Sequence, residues 1–261
     1  MQVAGRALLE RSAPRARSAG FFFDFDGTLA PIQADPEIVV PTLGVAARLA
    51  ELAGLVKRVA IVSARPIEFL RRRFEGLSGV ALFGLYGLEM VGPDGRVRTD
   101  PTAAEFIPAV QALAERAAEE MPTGVRVEYK RLSLALHYRT TPERRDAVEN
   151  WADERAAELG LFIERGRMVV ELKPPVGHDK GTVIEQETGD LTCAWYFGDD
   201  LSDRRAFAVL TARAAGGDFV AVKVAVANAE TGDELEAEAD LIIPSPPAVP
   251  DFLAGVIAGL R

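Results

Sequence analysis

The sequence is short of cysteine, of histidine and of long apolar runs, and each shortage removes a class of protein. Cys193 is the one cysteine, so no internal disulfide can form and a reducing compartment is the natural setting. No apolar run approaches the ~20 residues that span a bilayer. Positive charge is also scarce. Lys and Arg number 30 against 39 acidic residues, a formal net charge of -9. That argues against nucleic acid as a partner, because phosphate backbones need clustered cations. A small anionic substrate needs only one local patch and stays open. His137 and His178 sit in no supporting motif, so neither a Ser-His-Asp system nor a His-rich zinc site is expected. The chemistry is therefore sought among carboxylates. Arg6, Arg11, Arg15 and Arg17 precede no apolar segment with a cleavage site, which excludes a secretory signal. This stretch reads as a frayed, solvated leader, with an organellar transit peptide as the alternative. The expectation is a soluble, cytoplasmic protein with no membrane partner.

What is present is a large apolar share, 48% of 261 residues, enough for one large domain or two small ones. Phe21-Phe22-Phe23 reads as a buried strand ending at Asp24. Helical spacing over 41–53, a strand at 59–62, a helix at 66–74 and a strand at 81–83 follow. This alternation predicts a doubly wound parallel α/β sheet, Rossmann-like. The pattern then changes. Pro93-Asp94-Gly95 signals a hairpin turn. A helix is expected over 103–120, half-exposed strands at 125–130 and 132–138, and a helix over 143–159. Strands at 161–164 and 168–172 flank a turn at Arg165-Gly166. The first pattern resumes with a helix at 180–187, strands at 194–197, 220–226 and 241–243, and helices at 230–239 and 248–260. The expected organisation is a core of residues 1–100 and 177–261 with an α+β cap domain, 101–176, inserted into it. Cys193, near the start of a core strand, should be a buried thiol.

Two acidic clusters follow buried strands: Asp24-Phe25-Asp26-Gly27-Thr28 and Gly198-Asp199-Asp200-Leu201-Ser202-Asp203. Ligands of a doubly wound sheet bind beyond the carboxyl ends of its strands, so both clusters should face one cavity. Carboxylates that converge repel one another unless a cation joins them, and oxygen-only ligands favour Mg²⁺. Either cluster alone reads as an Asx-type surface turn. Ser63-Ala64-Arg65-Pro66 precedes a helix, where Ser63 and backbone N–H groups can meet an anion. Lys180-Gly181 opens another helix and offers a point charge. Taken singly, Ser63 is an ordinary N-cap and Lys180 a solvated lysine.

Asp24-Phe25-Asp26-Gly27-Thr28-Leu29, Ser63, Lys180 and Gly198-Asp199-Asp200 together resemble the four motifs of the haloacid dehalogenase superfamily, in order. The match narrows with Leu29-Ala30-Pro31-Ile32, Gly84-Leu85-Tyr86-Gly87-Leu88-Glu89, His137-Tyr138-Arg139 and Leu201-Ser202-Asp203. These resemble the trehalose-6-phosphate phosphatases. Ala64, Ser202, Arg204 and Leu172-Lys173-Pro174 depart from that family's usual pattern. The resemblance implies a Mg²⁺-dependent phosphatase in which Asp24 is the nucleophile, Asp26 the general acid and base, and Lys180 a phosphate neutraliser. It implies metal ligands from Asp24, the backbone carbonyl of Asp26, and Asp199, with Asp200 or Asp203 behind them. Thr28, Ser63 and Arg65 would meet the phosphate. Glu128, Lys130 and Glu171 would bind the sugar, though each could equally be a solvated strand charge. His137 would be structural. The implied substrate is trehalose 6-phosphate, with functional pairing to a trehalose-phosphate synthase. A phosphatase of sucrose phosphate or mannosyl-phosphoglycerate, and a silent sugar-phosphate sensor, remain alternatives. A cap on linkers near 98–101 and 174–179 would hinge.

Overall fold

The structure is a computed structural model that describes residues 3–33, 35–92, 94–166, 168–228 and 231–261. It divides into two compact units, Met1–Val97 with His178–Arg261, and Arg98–Gly177. The first unit begins with α1 (Val3–Ser12), β1 (Ala19–Phe23), α2 (Val45–Ala53), β2 (Arg58–Val62), α3 (Ile67–Arg73), β3 (Ala81–Gly84) and β4 (Glu89–Val91), and the division falls within β5 (Val97–Thr99). The second unit holds α4 (Pro101–Ala104), α5 (Ile107–Glu120), β6 (Arg126–Tyr129), β7 (Leu134–His137), α6 (Arg145–Leu159), β8 (Phe162–Gly166) and β9 (Val169–Lys173). The first unit then resumes with α7 (Lys180–Glu187), β10 (Cys193–Gly198), α8 (Arg204–Ala214), β11 (Val220–Val226), α9 (Asp233–Glu238), β12 (Leu241–Ile243) and α10 (Val249–Leu260).

The large sheet runs β12-β11-β10-β1-β2-β3-β4-β5. Every pair from β12 to β3 is parallel, and β4 turns antiparallel to β3. The chain leaves β1 toward β2 and β3 on one side, and returns to β10 on the other. That reversal between β1 and β10 is the switch point at which such sheets open a crevice. Phe21, Phe22 and Phe23 are fully buried, as a central strand covered on both faces requires. Phe21 and Phe23 turn one way, stacking on Trp195 and Phe197 with ring centres 5.4 and 4.5 Å apart. Phe22 turns the other way, into a cluster with Val183, Ile184, Tyr196 and Phe207. Burial of each ring contributes roughly 1.5–3 kcal/mol. Cys193 opens β10 and is buried, and burial pushes its thiol pKa up.

Several expectations are corrected. Residues 3–18 are not a frayed leader: they form α1 and a following 3₁₀ segment. Leu9 joins the core, and buried Ser12 accepts from Trp195 Nε1 at 3.0 Å. An indole N–H needs such a partner once buried, and no local pattern announces it. The helix expected over 103–120 is split into α4 and α5. Pro108 has no N–H to continue the first piece, and its ring excludes the carbonyl of Ala104. The turn expected at Arg165-Gly166 lies later, because β8 runs on to Gly166 and Met168 takes φ +62°. Helix α8 lies in a stretch where no element is anticipated. Pro93 of the expected hairpin turn and Glu230 of the expected helix 230–239 lie outside the described residues.

The second unit has an antiparallel sheet in the order β6-β7-β9-β8. Leu134, Leu136, Val170 and Leu172 pack with Val110, Leu113 and Ala117 of α5 and Val148, Ala152 and Ala156 of α6. The register aligns Glu128, Ala135, Glu171 and Glu164 in one cross-strand row. Side chains alternate along a strand, so this row belongs to the sheet's other face. Among the described residues, no helix is long and apolar enough to cross a membrane.

Candidate active site

Four neighbouring strands, β2, β1, β10 and β11, deliver the site from their carboxyl ends. Asp24 follows β1, and its N–H donates to the carbonyl of Phe197 at 2.9 Å. This carries the β1–β10 pairing one residue past Phe23 and sets Asp24 beside the second acidic cluster. The loop after Asp24 folds back on itself, with the N–H groups of Leu29 and Ala30 donating to the carbonyl of Phe25 at 2.9 and 3.0 Å. Gly27 takes φ +78°, and a Cβ there would stand 2.0 Å from Asp199 Oδ2. Only glycine suits both the backbone and the approach.

Lys180 is the buried cation of the site. It opens α7, whose start is fixed by a capping box between Asp179 and Thr182. Its Nζ lies 3.0 Å from Asp24 Oδ1 and 2.7 Å from Asp203 Oδ1. Asp203 is held on every side: Tyr196 donates to Oδ1 at 2.7 Å, and the N–H groups of Asp199 and Asp200 donate to Oδ2 at 2.9 and 3.1 Å. Asp203 therefore anchors Lys180 and ties down the loop that presents Asp199. The two oxygens of Asp199 are held separately, Oδ1 by Thr28 Oγ1 at 3.0 Å and Oδ2 by Asn228 Nδ2 at 2.8 Å.

Burial, with Asp203 and Asp200 nearby, pushes the Asp199 pKa up to about 8. Burial also raises Asp24 well above the carboxylate range, although Lys180 opposes the shift. Asp203 is raised by burial against the same lysine. For Lys180, burial works downward, but Asp203 and Asp24 outweigh it and hold the ammonium firmly protonated. Three buried carboxylates thus face one buried ammonium. Carboxylate oxygens of Asp24, Asp199 and Asp203 all lie within 4.8 Å of one another. Hard oxygen donors with an excess of negative charge fit a divalent cation of the magnesium type. With Asp203 committed to its four donors, Asp24 and Asp199 are the carboxylates best placed to serve it.

Asp26 lies to the side. Its two oxygens accept from Arg65, Nη2 to Oδ1 at 2.7 Å and Nε to Oδ2 at 2.8 Å. Buried Ser63 follows β2 and accepts from the N–H of Arg65 at 3.1 Å. The start of α3 does not offer all its N–H groups to an anion, because that of Ile67 donates to Glu89 Oε2 at 3.0 Å. Asp24, Asp26, Thr28, Ser63, Arg65, Lys180 and Asp199 are thus brought to one edge of the core sheet. Glu128, Lys130 and Glu171 belong to the second unit. Lys130 stands just beyond β6, in a turn where Arg131 takes φ +69°, rather than on the strand. Its Nζ still reaches Glu171 at 3.3 Å, and Ser133 Oγ donates to the same carboxylate at 2.5 Å. Glu128 pairs with His137 Nε2 at 2.7 Å. Asn228 and Tyr196 escape a reading by motif. A lone Asn two residues past a strand, as at β11, is a common turn residue, and only strand order reveals that β11 neighbours β10.

A family model described as trehalose-phosphatase matches residues 22–238. The trehalose-phosphate phosphatase of Mycobacterium marinum is 37% identical over 244 residues, which cover 88% of this chain and 59% of that protein. The chain therefore spans less than two thirds of that relative's length. Among solved structures, the C. albicans trehalose-6-phosphate phosphatase C-terminal domain superposes with a TM-score of 0.77 at 21% identity, covering 97% of this chain and 96% of that one. A haloacid dehalogenase-like hydrolase from Bacteroides thetaiotaomicron gives a TM-score of 0.60 at 13% identity, covering 92% and 100%. These two likenesses speak for the fold alone, an α/β core of the haloacid dehalogenase type carrying an α+β unit. The sequence match takes in both acidic loops, Ser63, Lys180 and the whole of residues 98–177, and by it the chain belongs to the trehalose-phosphatase family.

Proposed function

We propose that the chain is a Mg²⁺-dependent phosphatase that hydrolyses trehalose 6-phosphate to trehalose and phosphate through an aspartyl-phosphate on Asp24. The observation that carries this reading is the buried Asp24–Lys180 contact of 3.0 Å beside Asp199 and Asp203, at the switch point of a sheet whose family is known. A carboxylate that attacks a phosphate dianion meets like charge. At ~4 Å and an effective dielectric of ~20, each opposing unit charge contributes roughly 4 kcal/mol before desolvation. Lys180 supplies one such charge from a fixed position. When bound, Mg²⁺ supplies more, and Asp24, Asp199 and the backbone carbonyl of Asp26 would hold it.

The chain's own residues perform the proton and phosphoryl steps. A carboxylate oxygen of Asp24 bonds to phosphorus as the bond to the sugar oxygen breaks, and the carboxyl of Asp26 gives its proton to that oxygen. Water then attacks the phosphorus and Asp26 takes its proton. The bond to Asp24 breaks and phosphate leaves. Ser63 borders the phosphate, and Thr28 steadies Asp199. The unit of residues 98–177 reads the sugar through Glu128, Lys130 and Glu171. The reaction that must supply this substrate is a glycosyl transfer onto a hexose phosphate, which pairs the chain in function with a trehalose-phosphate synthase. A single buried, unpaired cysteine suits a cytoplasmic setting.

The test is phosphate release from a panel of phosphorylated sugars, with Mg²⁺ and with EDTA. Trehalose 6-phosphate should have the highest kcat/KM, EDTA should abolish turnover, and Asp24→Asn should remove it while the protein still folds. Preference for another sugar phosphate would change the substrate. No release from any of them would leave the sensor reading.

A further inference from the structure

Residues 84–89 stand out in the sequence, and the proposed reaction gives them no task. Their backbone is unusual: Leu85 and Tyr86 take φ of +48° and +59°, and Gly87 follows at +97°. Two consecutive non-glycine residues in the left-handed region persist only where the surroundings over-determine them, and such places cluster at functional sites. The surroundings here are the loop after β2. The N–H of Leu85 donates to the carbonyl of Arg65 at 2.9 Å, and that of Tyr86 to the carbonyl of Ser63 at 3.0 Å. Glu89 completes the clamp by accepting from the N–H of Ile67. Gly84 permits the approach, since a Cβ there would lie 2.7 Å from Ile67 N and 2.8 Å from the Arg65 carbonyl.

Arg65 is thus fixed at both ends of its backbone, its own N–H donating to Ser63 Oγ. Its side chain is fixed as well. The guanidinium carbon lies 4.4 Å from the ring centre of Phe69, one helical turn on. That ring is buried and packs edge-on against Phe25, next to Asp26, at 5.9 Å. Everything in this arrangement converges on the two-pronged contact between Arg65 and Asp26. A fork of this kind sets the plane of the carboxylate, which a single lysine contact does not.

The geometry points to Arg65 as the positioning residue of Asp26, held for that task by the left-handed turn at 85–87 and by the ring of Phe69. Its role is to aim the acid and base, not to bind the substrate phosphate. This rests on the reading of Asp24 as nucleophile and Asp26 as proton carrier. The two half-reactions use Asp26 differently. A sugar oxygen needs the proton of Asp26 to leave. A p-nitrophenolate leaves without one, so its departure is insensitive to how Asp26 is aimed. Hydrolysis of phospho-Asp24 needs Asp26 as base whichever substrate formed it.

The experiment compares Arg65→Met, which keeps the packed stem, and Arg65→Lys with the wild type, using trehalose 6-phosphate and p-nitrophenyl phosphate in rapid mixing. General acid–base catalysis contributes about 10²–10⁴-fold, so kcat for the sugar phosphate should fall by about 10²-fold with little change in KM. With p-nitrophenyl phosphate the first equivalent of p-nitrophenolate per site should appear at the wild-type rate, followed by a slowed steady state. Arg65→Lys should not rescue. Phe69→Leu, which keeps an apolar core residue, should show a weaker form of the same split and carries the test should Arg65→Met fail to fold. A first turnover slowed equally on both substrates, or a raised KM with kcat unchanged, would return Arg65 to phosphate binding and overturn the inference. Asp26→Asn is the control. A wild-type enzyme that releases phosphate from neither substrate would instead overturn the parent reading.

Discussion

The two oxygens of Asp199 have separate keepers, Thr28 and Asn228, and Asn228 is the one whose amide holds a second loop as well. Its amide also donates to the carbonyl of Gly27 at 3.3 Å, so it ties the ends of β1, β10 and β11 together. The amide is itself oriented, because the N–H of Thr231 donates to Asn228 Oδ1 at 3.1 Å. Groups that orient a metal ligand commonly change affinity 10–100-fold when removed. Asn228→Ala should therefore weaken Mg²⁺ binding by about 10-fold or more, read by calorimetric titration without substrate. An unchanged isotherm would remove Asn228 from the orientation of Asp199. The contrast with Asp24 is instructive. Asp24 is legible from its place after three phenylalanines and before Asp26-Gly27-Thr28, all within one stretch of chain. Asn228 and Asp199 lie in different loops, and nothing local to either names the other.

At the scale of elements, the eight-residue helix α7 carries the buried ammonium, so its start has to be exact in register. Asp179 Oδ1 accepts from the N–H of Thr182 at 2.9 Å, and the N–H of Asp179 donates to Thr182 Oγ1 at 3.0 Å. Loss of such a cap typically costs about 1 kcal/mol. Asp179→Ala should lower stability by about that amount, read as a shifted urea midpoint at constant slope. No shift would mean that packing against α8 alone fixes the helix. This helix is legible in the sequence, and the expected and observed bounds coincide at 180–187. The break between α4 and α5 and the whole of α8 are less so. Apolar spacing continues across Glu105 and Phe106, and only the demand of Pro108 on its neighbours interrupts the backbone there. In α8, Ala206, Phe207 and Leu210 are the buried face, a stripe too narrow to stand out beside the acidic loop before it.

For the whole molecule, the cost of assembling the acidic site should be visible in stability. In the metal-free protein Asp199 titrates near 8 against 3.8 for the ordinary carboxyl, and Asp24 and Asp203 are raised in the same sense. Between those values the folded state holds more protons than the unfolded one, so stability falls as pH rises from about 4 through about 8. Lys180, also raised, keeps its full contribution throughout that window and adds no slope. In EDTA, Tm should decline from pH 5 to 8, and Mg²⁺ should flatten the decline by standing in for the lost protons. A flat curve in EDTA would mean that the three carboxylates are better solvated than their burial implies. The sequence by itself determined the doubly wound core, through buried runs that stop at Asp24 and Asp199, and it displayed the two acidic loops that follow them. Period and composition are local properties, and the chain displays them wherever it goes. Tertiary structure alone decided that Arg65 grips Asp26, that Asp203 serves Lys180 and the loop backbone, and that Leu9 and Ser12 of α1 join the core. Those outcomes depend on which strand ends become neighbours and on the burial that follows, and the energy of a buried charge belongs to the assembled site, not to any segment of it.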